Sequence, residues 1–175
     1  ADGLTAFNSD GFALGADVEY NTSSETYVGW AWDAGSSTVS NTDGTITSQV
    51  RANPSSGFSI VSYTGTSANA TLGHGLNAAP EMIIIKNRDR DFAWFVYHES
   101  IGPTKNLKLN ESSAATTVSS YFNNTAPTSS VFSVGAAVGT NYTGEDIIAY
   151  CFAPVEGYSA FGSYTGNGSA DGPFV

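Results

Sequence analysis

The chain has 175 residues, of which 41% are hydrophobic, and sixteen Asp plus Glu outnumber six Lys plus Arg to give a formal charge of −10. That is enough apolar material for one sizeable core or two small ones, while the acidic balance argues against nucleic acid as a partner, because phosphate binding needs a basic footprint. No apolar run approaches the ~18 residues of a membrane-spanning helix, so no membrane insertion is expected, and the single cysteine, Cys151, excludes an intrachain disulfide.

In chain order, the first apolar run is Tyr27 to Trp32, in which Trp30 and Trp32 stand two apart and would share one strand face, as core anchors. Residues 36–56 carry Asp43-Gly44 between Thr38-Val39 and Thr45-Ile46-Thr47, a hairpin signal, and are expected to form a linker with a small β excursion. Gly57 to Tyr63, Met82 to Lys86, Phe92 to Tyr97, Val131 to Val134 and Ile147 to Phe152 are short, rich in β-branched and aromatic types, and bounded by Gly, Pro, Asn or Ser, which predicts strands. Met82-Ile83-Ile84-Ile85 is expected to be a central strand buried on both faces, and Asn87 to Asp91 a five-residue hairpin loop leading into Phe92. Five of the six basic residues, Lys86, Arg88, Arg90, Lys105 and Lys108, cluster near Asp89, Asp91 and Glu99, as at a solvated hairpin tip with local ion pairs. Only Ser112 to Phe122 has room for a short helical turn. Cys151 is expected to be a small buried hydrophobe, and the predicted core is Phe58, Ile60, Ile83, Ile85, Trp94, Val96, Phe132, Ile148, Tyr150 and Phe152.

Self-similarity organises these elements. Gly11 to Trp32 aligns with Val131 to Phe152 at an ungapped offset of 120, matching Phe12 with Phe132, Gly15 with Gly135, Asn21 with Asn141 and Glu25 with Glu145. Gly57-Phe58-Ser59 with Tyr63-Thr64-Gly65 corresponds in turn to Gly157-Tyr158-Ser159 with Tyr164-Thr165-Gly166, and positive φ is expected at the glycines that end these strands. The fold expected is therefore all-β, an antiparallel, jelly-roll-like β-sandwich built from repeats of about 100 residues. Residues 1–35 would be the back part of one repeat, 57–156 a complete one and 157–175 the opening of a third, so a longer polypeptide is expected. Residues 1–35 lack an opening strand and 157–165 has the reverse deficit, so each would complete the other, within one chain or between successive chains. The strands around Trp30-Trp32 and Tyr150-Phe152 are expected to be equivalent.

The parts of an enzyme are not assembled. His74, in Gly73-His74-Gly75, and His98 have no second ligand at metal spacing, and His74 is expected to be a turn residue bonded to backbone. No Gly-x-Ser-x-Gly elbow occurs. Asp89 with Asp91, and Glu145 with Asp146, lack a calcium-loop pattern and are taken as turn residues. Neither catalysis nor a cofactor is expected.

The strings Phe7-Asn8-Ser9-Asp10-Gly11-Phe12, Ser40-Asn41-Thr42-Asp43-Gly44, Gly57 to Gly65, Gly73-His74-Gly75-Leu76 with Ala79-Pro80-Glu81 to Lys86, and Ala153-Pro154-Val155-Glu156-Gly157-Tyr158-Ser159 through Gly168 resemble a tandemly repeated domain of uncharacterised function. That domain occurs in large virion proteins of marine tailed bacteriophages, including cyanophages. The resemblance implies a structural, tail-fibre or host-attachment role in the virion, with copies of the same chain or other virion proteins as partners, and it brings no catalytic residues. The alternative is an adhesin domain that grips a host surface glycan through exposed aromatics, with Tyr20, Trp94, Tyr121 and Tyr142 as the candidates. A depolymerase fragment ranks last, since no pair of acids can be placed across a cleft.

Overall fold

The structure is a computed structural model and describes residues 2–173. It divides into two compact units, Ala1–Trp32 and Asp33–Val175. In the first, strands β1 (Leu4–Asn8) and β2 (Gly11–Leu14) form an antiparallel hairpin, followed by one helical turn, α1 (Val18–Asn21). Asp17 caps that turn by accepting the Glu19 N–H at 2.9 Å.

The second unit holds β3 (Thr38–Asn41), β4 (Ser48–Asn53), β5 (Phe58–Thr64), β6 (Ala70–Gly73), β7 (Met82–Asn87), β8 (Phe95–His98), β9 (Lys105–Lys108), β10 (Thr116–Thr117), α2 (Ser119–Phe122), β11 (Val131–Val134), α3 (Val138–Asn141) and β12 (Asp146–Phe152). Eight strands make one antiparallel sheet in the order β10-β9-β8-β7-β12-β5-β4-β3, and β6 pairs with β11 in a separate two-stranded ladder. The fold is an all-β sandwich, as expected, and the layer facing the large sheet is this two-stranded ladder with α2 and α3. One core cluster joins the layers: Val50, Val61, Tyr63, Ile83, Ile85, Ile147, Ala149 and Cys151 from the large sheet meet Leu72, Phe132, Val134 and Phe122. β12 lies between β5 and β7 with Ala149 opposite both Val61 and Ile85, and strand alternation aims all three into this core.

Several expectations change against this frame. Ile60, Trp94, Ile148 and Tyr150 are half-buried, whereas Phe58, Ile83, Ile85, Val96, Phe132 and Phe152 are buried. The reason is alternation: Ile60, Ile148 and Tyr150 lie on the sheet face opposite the main core, where cover is only partial, and Met82 and Ile84 share that half-covered state. The strand expected at Phe92 starts at Phe95, because Lys86 donates through Nζ to the carbonyls of Arg90 (2.9 Å) and Phe92 (2.8 Å) and holds the loop off the ladder. The short helical turn forms, at Ser119–Phe122.

Residues 36–56, expected as a linker, contribute β3 and β4 to the large sheet, with Val50 buried opposite Val61. Their turn also reaches the second layer. The Ile46 N–H donates to the Thr71 carbonyl (3.1 Å), and Thr45 and Thr71 exchange two backbone-to-hydroxyl bonds at 3.0 and 2.9 Å. Gly44 sits so close to the Thr71 carbonyl that an added Cβ would collide with it.

Residues 27–32 are not a strand, and Trp30, at 76% exposure, is not a core anchor. The two indoles instead stack on each other, with centroids 6.1 Å apart. A strand needs a ladder partner, and β12, their counterpart at offset 120, has one on each side.

Candidate functional site

The aligned segments agree in backbone over their first fifteen residues. β2 and β11 each lead through a glycine into a four-residue helical turn, and the residues before the turns have φ, ψ of −67°, 125° (Asp17) and −69°, 135° (Ala137). In one segment the Gly15 N–H donates to the Gly3 carbonyl (2.7 Å), Asn21 Nδ2 to the Gly15 carbonyl (2.9 Å) and the Glu25 N–H to the Thr22 carbonyl (3.3 Å). In the other the Gly135 N–H donates to the Tyr121 carbonyl (3.1 Å), Asn141 Nδ2 to the Gly135 carbonyl (3.0 Å) and the Glu145 N–H to the Tyr142 carbonyl (3.2 Å). Beyond Glu25 and Glu145 the paths part, one into coil and the other into β12.

Around Asn141 the match acquires an extra layer. Its Oδ1 accepts the Thr66 N–H at 2.8 Å, its Nδ2 also donates to the Ala68 carbonyl at 2.6 Å, and the side chain is fully buried. The Tyr63 hydroxyl donates to the Thr140 carbonyl at 2.6 Å, and burial pushes that phenol well above its ordinary pKa, so it stays a donor. The Gly65 N–H donates to the Glu145 carbonyl and the Gly144 N–H to the Gly65 carbonyl, both at 3.0 Å. Gly65 is required here by close approach, since an added Cβ would strike the Tyr142 carbonyl, and not by the positive φ expected from sequence. The end of β5 is thus latched onto the turn from Thr140 to Glu145. Aligning the two asparagines was within reach of the sequence; the latch was missed because its other half, residues 63–68, belongs to a different part of the repeat.

Of the four aromatics singled out as glycan contacts, the three in the second unit each have a protein partner for the ring. Trp94 stacks on Tyr150 (6.3 Å between centroids), Tyr121 stacks on Phe95 (4.2 Å), and Tyr142 lies under the Arg90 guanidinium (4.7 Å), which also pairs with Glu145. Tyr20 stands half-exposed in the first unit. An open depression of about 330 Å³, lined by Thr47, Gln49, Thr64, Arg88 and Asp146 among others, is polar and without an exposed ring.

The remaining sequence candidates are structural. His74 is buried, with Nδ1 accepting the Leu76 N–H (3.2 Å) and Nε2 directed at the Thr128 carbonyl (3.1 Å), so both ring nitrogens are engaged by the neutral tautomer protonated at Nε2. Desolvation lowers its pKa. His98 Nδ1 caps the 3-10 turn Glu99–Ile101. Asp89 accepts the Asp146 N–H (2.6 Å), Glu145 accepts from Asn87 Nδ2 (2.6 Å), and no group of three or more metal-ligating side chains exists among the described residues. Cys151 is buried in β12, and its thiol pKa is pushed up to about 12 by desolvation.

Comparison with curated proteins and with solved structures finds no match. A family model does match, over residues 1–175, and the chain therefore belongs to the family described as Domain of unknown function (DUF7483).

Proposed function

We propose that this chain is a module of a tailed-bacteriophage virion, in a tail fibre, tail or capsid-associated protein, where β-units of about 100 residues repeat and serve assembly or host attachment. The observation that supports this best is the pair of matching segments: residues 11–25 and 131–145 share backbone and hydrogen bonds, and among the described residues only the second is latched by the strand β5. A protein built this way extends by adding units, each completed by its neighbour. The partners are other copies of the chain or other virion proteins, and the setting is the extracellular particle.

The glycan-adhesin alternative draws less support, because the rings of Trp94, Tyr121 and Tyr142 are occupied by protein partners. Two measurements separate the readings. Light scattering over a concentration series should show self-association, and a glycan array should show no sugar-specific signal. A strictly monomeric protein that binds one glycan class in the sub-millimolar range would reverse the order.

A further inference from the structure

We propose that the segment Gly162 to Ser169 of one copy adds as a strand to Thr26–Gly29 of a second copy, where the Asn21 side chain clamps it. The inference rests on the repeat reading and gives it a register.

The internal template is the β5–β12 pair. There Thr64 lies opposite Asp146, Tyr63 opposite Ile147, Ser62 opposite Ile148 and Val61 opposite Ala149. Carrying β12 back by 120 and β5 forward by 101 places Thr165 opposite Thr26, Tyr164 opposite Tyr27, Ser163 opposite Val28 and Gly162 opposite Gly29. The Tyr164 hydroxyl then meets the Tyr20 carbonyl as Tyr63 meets Thr140, and Asn21 Oδ1 receives the Asn167 N–H as Asn141 receives that of Thr66.

Three features of the donor segment are already in place. Gly168 has φ of 69°, matching Ser67 at 55°, so the left-handed turn that ends the template strand is preset. Gly166 occupies the position of Gly65, where no side chain fits, although nothing lies within 4 Å of its own added Cβ. Tyr164, the counterpart of a 5% exposed tyrosine, is 69% exposed. On the receiving side Val28 is 78% exposed, and Asn21 already holds the Gly15 carbonyl through Nδ2 as Asn141 holds that of Gly135. Neither segment carries a charge, so two chains of net charge −10 can meet here without burying one.

The test mixes two single-cysteine-addition variants, Val28→Cys and Ser163→Cys, under mild oxidation; both positions are exposed and native Cys151 is buried. The expected product is a covalent dimer of unlike chains, formed at least tenfold faster than with Trp30→Cys replacing Val28→Cys. A second variant, Gly166→Val, should leave the melting temperature unchanged and weaken association of the unmodified chain at least tenfold. The proposal is overturned if unlike chains do not crosslink, if a Val28→Cys/Ser163→Cys double variant closes only within one chain, or if Gly166→Val associates like the parent. Association that persists by another face would defeat this pairing and leave the structural-module reading standing; a monomer at every concentration would defeat both.

Discussion

Asn141 shows how one side chain settles a local structure. Its amide makes four bonds that no apolar residue can replace, and it makes them from a fully buried position. Asn141→Ala should therefore cost about 2 to 4 kcal/mol in urea unfolding, whereas Asn21→Ala, which removes a single bond to the Gly15 carbonyl, should cost under about 1 kcal/mol. Comparable losses at both positions would mean that the latch carries no weight. His74 makes a second prediction at this scale. Its native pKa is lowered, so below its unfolded value of 6.5 the unfolded chain binds a proton that the native one does not. Stability contributed by this group is complete above that pH and falls as the pH drops toward the native value. Denaturant midpoints measured from pH 7.5 to 5 should decline, and His74→Gln should flatten that part of the decline.

Among the elements, the β3–β4 hairpin carries the largest surprise. Thr38 to Ile46 shows the turn signal plainly, but nothing in its composition says which sheet receives it, because the pairing partner, β5, is set by a register only the fold reveals. The consequence can be measured. Val50→Ala should destabilise by roughly 2 kcal/mol, since Val50 is buried opposite Val61, while Val39→Ala on the exposed edge strand should stay within about 0.5 kcal/mol. A free linker would show no difference between them. The strands at 82–87, 131–134 and 146–152 were legible because each is an apolar run closed by polar or turn residues. Tyr27 to Trp32 has the same pattern and is coil, since a pattern specifies a face and not a partner. The candidate site was less legible still: single aromatics can be picked from a sequence, but whether another ring or a guanidinium already occupies them depends on contacts such as Phe95 to Tyr121 and Arg90 to Tyr142.

At the scale of the whole molecule, charge and association are coupled. Copies carrying −10 repel at low ionic strength, and ~0.15 M salt shortens that repulsion to about 8 Å. If association runs through uncharged segments, it should strengthen between 20 and 300 mM NaCl in sedimentation experiments; contacts made by ion pairs such as Arg90 with Glu145 would weaken instead. The central position of β12 also has a use. Cys151 sits in a strand with a ladder on each side, is inaccessible, and is nearly all thiol at neutral pH, so a maleimide or disulfide reagent can reach it only when the sheet opens. Its labelling rate should be negligible in buffer and climb with urea in step with the loss of far-UV circular dichroism, whereas rapid labelling of folded protein would mean that β12 detaches on its own. The molecule thus carries one internal clock, started only by its own unfolding, against which every variant above that adds no cysteine can be timed.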